Sequence, residues 1–504
     1  MVSRRHVENI VDGDRPVYGV TTGFGALATS RIPAEERRRL QHSLLRSHTA
    51  GMGDFVEKDI VRAMMAIRAK TLAMGYSGVR PEPVEALIRL LNEDLIPAVP
   101  EHGSMGASGD LAPMAHIGLC LTGEGYVLGK DGPLPAAEAL ERAGIEPLQL
   151  LAKEGLALTN GTDGMLAMLA LALEDLENLL QTADVVAAMS VEALFGTDRV
   201  YQEELHQLRP HPGQISSARN ISRMLAGSPI VSSHQTSDHL VQDCYSLRCA
   251  PQVHGAARET LDHAGQVARR ELASVTDNPL VLSDGRVESA GNFHGEPLAF
   301  VLDFLAIAAS EVEAISERRI DRMLDRSRSE GLPPFLTPRA GVQSGFMIPH
   351  YTAAALAEEN RRLAVPASTG SLPTSAGQED HNSMGWSAGR KLGTLLTNVS
   401  RILAVETLCS AQALDLRHPL KPGPATSTVL GRIRQEIPFM QEDRFLAPDL
   451  ETAVTLVVRG DVRRSPSERW NKRTSGCGCG RLCYEGCGAP KGDTGWYRQY
   501  TEMS

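Results

Sequence analysis

The feature that most constrains this chain is a set of long stretches, rich in Ala, Leu and Glu, that dominate it after Gly155. Residues 165–180, 183–194, 256–275, 297–323, 352–363 and 392–414 place apolar side chains at helical spacing. They predict helices of three to seven turns, several of them apolar over most of their circumference. Helices of that kind lie inside a bundle or at an interface between subunits. Before about residue 100 the pattern is shorter: residues 37–45 and 58–74 read as helices between Gly-rich turns. Strand-like alternation is scarce, and residues 280–289 are the best candidate for a small hairpin. The expected fold is mainly α, a long central helical bundle with a smaller loop-rich N-terminal region extending to about residue 155. Aromatic residues make up only 4% of the chain, so Ala, Leu, Val and Met must do most of the packing.

Charge and patterning exclude several function classes. The net charge is −10, and no basic stretch carries interleaved aromatics, which argues against a nucleic-acid partner. The chain starts Met-Val-Ser-Arg-Arg-His, without the apolar run of a secretory signal. Its most apolar stretch, residues 165–173, is broken by Glu174 and Asp175 and is too short to span a bilayer. A soluble, cytoplasmic protein is expected, with no membrane partner. There is no internal repeat.

Eight cysteines are present. Cys120, Cys244, Cys249 and Cys409 read as small buried residues of a reducing compartment. Cys477, Cys479, Cys483 and Cys487 crowd into a Gly- and Arg-rich tail, but Cys-x-Cys-x₃-Cys-x₃-Cys lacks the paired Cys-x₂-Cys knuckles of structural zinc. With no His-Glu-x-x-His helix, no metal is expected. No Gly-x-Gly-x-x-Gly follows a strand, so no dinucleotide site is expected either.

Residues 103–116 read Gly-Ser-Met-Gly-Ala-Ser-Gly-Asp-Leu-Ala-Pro-Met-Ala-His. If the amide nitrogen of Gly109 attacks the carbonyl of Ala107, a five-membered ring closes. Loss of water from that ring and from Ser108 leaves a methylidene-imidazolone, an electrophile made only from protein. Gly109 has no Cβ to hinder its nitrogen. Asp110 is placed to cap a helix through Leu111, with Pro113 in its first turn. The plainer reading is a Gly-rich turn before a helix.

Other polar strings carry two readings each. Tyr18, in Tyr-Gly-Val-Thr-Thr-Gly-Phe-Gly, is a packing tyrosine or, beside an electrophile, a base whose phenol neighbours must lower from near 10. His48 is a structural histidine or a contact for a substrate ring. Asn160, in Glu-Gly-Leu-Ala-Leu-Thr-Asn-Gly-Thr, belongs to a capping string with Thr159 and Thr162, or to a site. Gln242, Tyr245 and Arg248 share one broad face if helical, until Pro251 ends the turn. Arg248 there offers a fork for a carboxylate or for a surface ion pair. Phe293, in Gly-Asn-Phe-His-Gly, and Glu379, in Gln-Glu-Asp-His, sit in loops that are otherwise solvated.

Together and in this order, these strings resemble the histidine and aromatic amino-acid ammonia-lyases. The resemblance runs over about residues 7–458 and includes Ala-Ile-Ser-Glu-Arg-Arg at 314–319 and Ser-Gly-Phe-Met-Ile at 344–348. It implies non-oxidative deamination of L-histidine to trans-urocanate and ammonia through a methylidene-imidazolone built from Ala107, Ser108 and Gly109. Tyr18 would take the β-proton and Arg248 would hold the carboxylate. Tyr245, Asn160 and Gln242 would orient the substrate and support formation of the electrophile. His48 and Glu379 would contact the imidazole, and Phe293 would line the pocket. The family forms homotetramers whose active sites each draw on three subunits. Relatives acting on phenylalanine or tyrosine tend to carry Phe-Leu or His-Leu where this chain has Ser47-His48, and glutamine at Glu379, so both places favour histidine. The alternatives are a tyrosine or phenylalanine lyase or aminomutase, or an inactive lyase-like scaffold. Two departures stand out. The chain lacks a leading segment usual in the family, suggesting a truncated or mis-started N-terminus. The tail at 459–504 does not resemble the family's closing helices, and it suggests disorder or a change of reading frame.

Overall fold

In chain order the helices that frame the molecule are α1 (Arg37–His48), α2 (Lys58–Ala73), α3 (Leu111–Leu121), α4 (Asp163–Ala193), α5 (Ala250–Leu272), α6 (Glu296–Leu324), α7 (Met347–Leu363) and α8 (Gly385–Leu416). This computed structural model describes residues 2–13, 15–235 and 241–463. The fold is the mainly helical one expected. The cysteines at 477, 479, 483 and 487 lie outside the described residues, as does nearly all of the 459–504 segment.

The two stretches at 165–180 and 183–194 are one helix, α4, of 31 residues. From Thr182 to Ala193 every residue is buried, as expected of a helix surrounded by others. Two of the buried carboxylates among these helices, Asp184 and Glu406, are paired with cations. Asp184 accepts from His254 at 2.8 Å, Arg258 at 2.7 Å and Asn220 at 2.9 Å. Glu406 accepts from Ser190 at 2.7 Å and from two nitrogens of Arg319, at 2.5 and 2.9 Å. Burying such groups without partners would cost several kcal/mol each.

These contacts also orient the helices. At one end, the Met165 side chain sits where Cβ atoms on Gly295 and Gly385 would be, 2.5 and 2.2 Å away. At the other, Ser190, Arg319 and Glu406 meet. So α4, α6 and α8 run in the same direction. The α5 helix runs opposite, with His254 beside Asp184 and Glu271 bonded to Thr162 at 2.6 Å. The α7 helix also runs opposite, pairing His350 with Glu317 near its start and Asn360 with Asn398 near its end. The loop-rich N-terminal part, with α1, α2 and α3, closes the end where α4, α6 and α8 begin. Its apolar core joins Leu45, Met65, Met114 and Leu158 to Met168 and Trp386.

The hairpin expected at 280–289 is present as Leu280–Val281 paired antiparallel with Val287–Glu288. Two other two-stranded ribbons were not expected, Met52–Phe55 with Pro100–His102 and Tyr126–Gly129 with Gly132–Pro135. The reading of 242–251 needs correction. Between 242 and 249 only Tyr245–Arg248 is helical, Gln242 lies outside it, and Pro251 sits in the first turn of α5 instead of ending a turn. Proline has no N–H, and a helix's first turn has no partner for one. Cys120 and Cys409 are buried as expected, but Cys244 and Cys249 are only partly so.

Candidate active site

The 103–110 loop is pinned from several sides. Gly109 has φ +72°, and a Cβ there would lie 2.0 Å from the Gly161 carbonyl oxygen, so only glycine fits. That oxygen accepts the Asp110 N–H at 2.8 Å. Gly106 has φ +66°, and the Ser383 hydroxyl, which donates to the Gly106 carbonyl at 3.2 Å, fills the place of its side chain. The Met384 N–H donates to the Met105 carbonyl at 2.9 Å. The segment leading into α8 therefore holds the loop from outside, and the turn before α4 holds it from inside. The Ser108 hydroxyl, half-buried, donates to Asn160 Oδ1 in a very short contact. A tight turn with an amide nitrogen unhindered at Gly109 and a fixed serine hydroxyl suits ring closure on Ala107.

Asp110 stands at the N-cap position of α3, as expected, but its side chain does not cap that helix. It accepts instead from the Met165 N–H at 2.9 Å, in the first turn of α4, and from Ser104 at 2.9 Å. Burial, helped by the nearby Asp163 charge, pushes its carboxyl up to about 7. Likewise neither Thr159 nor Thr162 caps α4 with its side chain; the Thr162 hydroxyl donates to Glu271.

Tyr18, His48 and Glu379 gather at this end. The Tyr18 hydroxyl accepts the Gly25 N–H at 3.0 Å, and its ring meets Phe24 edge-on at 6.4 Å. Neighbours were expected to lower its phenol. Burial instead raises it, the Gly25 N–H opposes this, and the Glu379 charge adds to the rise. The same Glu379 charge acts on His48, whose imidazole is kept low chiefly by burial. Glu379 accepts from the Thr374 hydroxyl at 2.8 Å. The turn after His48 is tied to α3 by the Gly51 N–H, which donates to His116 at 3.2 Å. Phe293, half-buried, sits just before α6, in a loop where His294 bonds the His381 carbonyl at 3.1 Å.

Gln242, Tyr245 and Arg248 are elsewhere. Their segment is anchored at the far end of the bundle, where Arg319 donates to the Ser246 carbonyl at 3.3 Å and Tyr201 to the Leu247 carbonyl at 2.8 Å. From Glu296 to Arg319, α6 rises about 35 Å. One chain therefore cannot bring Arg248 to its own Ser108. Tyr245 is 70% exposed, with the Arg248 guanidinium 4.7 Å over its ring. Arg248 Nε is buried without a hydrogen-bond partner among the described residues.

The fold also brings together groups that spacing did not suggest. The donor atoms of His294, Glu296 and His381 lie within 4.8 Å of one another and could hold a metal ion. Behind the loop, fully buried Arg68 pairs with Asp163, and Lys153 with Asp277. The one signal for these in the sequence was a charge set among apolar neighbours, as at Arg68 and Lys153.

A family model described as aromatic amino acid lyase matches residues 1–435. A histidine ammonia-lyase from Streptomyces griseus is 56% identical over 464 residues, covering 91% of this chain and 90% of that protein. Among solved structures, a tyrosine aminomutase from Streptomyces globisporus superposes with a TM-score of 0.87 at 40% identity, covering 92% of this chain and 91% of that one. A histidine ammonia-lyase from Trypanosoma cruzi gives a TM-score of 0.84, also at 40% identity, covering 92% and 87%.

Proposed function

The chain belongs to the aromatic amino acid lyase family, and from that premise we propose that it is a histidine ammonia-lyase, converting L-histidine to trans-urocanate and ammonia. The observation that carries this reading is the Gly109 turn, closed to any side chain by the Gly161 carbonyl, with Ser108 hydrogen-bonded to Asn160. A methylidene-imidazolone formed from Ala107, Ser108 and Gly109 supplies the electron sink that loss of ammonia needs.

The chain's own residues do the rest. Tyr18 takes the proton from the substrate β-carbon. Glu379 accepts from the imidazole N–H, and His48, whose own imidazole is held low chiefly by burial, completes the polar contact with that ring. Phe293 lines the pocket. Asn160 orients Ser108 and then the substrate.

Arg248 grips the carboxylate with its planar fork, helped by Tyr245 and Gln242. Those three come from neighbouring subunits of a homotetramer. The distance along α6 supports this reading, as does the exposed apolar row Phe300, Phe304 and Ile307 on that helix. No helix among the described residues is long and apolar enough to cross a membrane, and the reading places the enzyme in the cytoplasm.

The aminomutase likeness supports a second reading, with tyrosine as substrate. A carboxylate at Glu379 and an imidazole at His48 favour histidine over it. The test is urocanate absorbance on adding L-histidine to the purified protein, with Ser108→Ala alongside. The parent should form urocanate. Ser108→Ala should assemble but lose nearly all turnover, and full activity in that variant would overturn the reading.

A further inference from the structure

Behind Asn160 runs a line of buried polar groups for which the proposed mechanism has no use. Asn160 Nδ2 donates to the Asn278 carbonyl at 2.9 Å. The Asn278 N–H donates to Asp277 Oδ1 at 2.7 Å, and Asp277 Oδ2 receives Lys153 Nζ at 2.6 Å. The Asn278 side chain is occupied as well, accepting the Ala290 N–H at 2.9 Å. Lys153 and Asp277 are 0% exposed, Asn160 1% and Asn278 8%.

An asparagine amide has nearly the same shape either way round, so its neighbours decide which end faces where. A backbone carbonyl can only accept, so Asn278 takes the NH₂ end of Asn160. That leaves Oδ1 for the Ser108 hydroxyl, which donates to it. The Asn278 carbonyl keeps its direction because the N–H and side chain of the same residue are tied. Lys153 completes the arrangement from the other segment. It stands at the start of the helical turn Glu154–Thr159 that delivers Asn160, with a left-handed backbone at φ +72°. The ion pair therefore joins the two segments whose meeting sets the amide. An apolar pair of similar volume would join them without the desolvation cost of two charges, but would leave the Asn278 N–H with no acceptor.

We propose that Asp277 is a positioning residue for maturation of the Ala107-Ser108-Gly109 electrophile, holding the Asn278 N–H so that the Asn160 amide presents its oxygen to the Ser108 hydroxyl, while Lys153 compensates the buried Asp277 charge. The inference rests on the function proposed above. In ring closure a bond forms between Gly109 N and the Ala107 carbonyl carbon. The Ala107 oxygen leaves as water with the amide hydrogens of Gly109 and Ser108. The Ser108 hydroxyl leaves as a second water with the hydrogen from its own Cα. A hydroxyl held in one rotamer stays aligned for that second loss.

The measurement is the rate at which the peptide containing residues 107–109 becomes two waters lighter after synthesis, followed by mass spectrometry. Folding and assembly are checked by circular dichroism and light scattering. Lys153→Met/Asp277→Leu removes both charges and fills the space. It should fold and assemble yet mature at least about tenfold more slowly, because small misplacements are costly in reactions governed by proximity. Parental maturation in that folded variant overturns the proposal. Lys153→Met/Asp277→Asn also removes both charges but keeps an oxygen for the Asn278 N–H. It should mature within a few-fold of the parent, and failure to mature while folded overturns the proposal too; this variant decides the matter should the first not fold. A parent peptide that never loses water would count against the proposed function itself.

Discussion

The roles proposed for Glu379 and Tyr18 bear on different variables, the substrate ring for one and the solution pH for the other. A polar group in the pocket that pairs with the imidazole penalises an analogue unable to pair with it, far more than a missing methylene would. Glu379→Gln keeps the shape but removes the charge. Its kcat/KM for L-histidine should fall at least about 10²-fold, roughly 2.7 kcal/mol of transition-state stabilisation. Any trace activity on phenylalanine or tyrosine should hold or rise. Equal losses on all three amino acids would show that Glu379 does not choose the substrate. The base proposed at Tyr18 is its phenolate, yet burial and Glu379 hold the phenol above the ordinary value of 10.0. The active form therefore grows as pH rises, and kcat/KM of the parent should climb through the alkaline range. Tyr18→Phe should abolish that climb and lower kcat about 10²-fold or more. A parent profile flat above neutrality would remove Tyr18 from its role.

At the scale of elements, the loop and the bundle are joined by one carboxyl. Asp110 starts α3 by position but serves the first turn of α4 by its hydrogen bond, so the loop cannot shift without uncapping the longer helix. Its folded pKa, about 7, lies above the ordinary 3.8. A group raised in this way binds more protons folded than unfolded. Its contribution is fully present below pH 3.8 and is lost as pH rises through about 7. Asp110→Asn stays neutral throughout. Between pH 4 and 8, denaturant unfolding should show the variant gaining on the parent, by at most about 4 kcal/mol. A constant difference between them would mean that ionisation of this carboxyl is not what burial opposes.

For the whole molecule, the bundle's length sets Tyr18 and Arg248 of one chain far apart, and the proposed site therefore draws them from different subunits. Tyr18 stands at the end where α6 begins, and Arg248 near the end where it finishes. Tyr18→Phe and Arg248→Ala should each be nearly inactive alone. Co-expressed in equal amounts, they should recover about a quarter of parental activity, because half the sites have a sound Tyr18 and half of those a sound Arg248 from another subunit. No recovery in mixed assemblies would place both residues in one chain's site.

Local chemistry is short-ranged, so much of this was legible in the residues themselves. Helical spacing gave the long helices, and glycines together with Ser108 marked the turn at which ring closure is proposed. The strings carrying Tyr18, His48, Asn160 and Glu379 pointed to groups that the fold does gather near that turn. What spacing could not supply was direction and depth. Tyr245 and Arg248 read as neighbours of the same site, yet the parallel run of α4, α6 and α8 carries them to the opposite end. Asp110 read as a cap for the helix it begins, yet its carboxyl serves another. Lys153 stands just before the string that carries Asn160, and nothing in that spacing shows that it is fully buried against Asp277, 124 residues away. Each of these depends on which distant backbone occupies the neighbouring space, and only packing of the whole chain decides that.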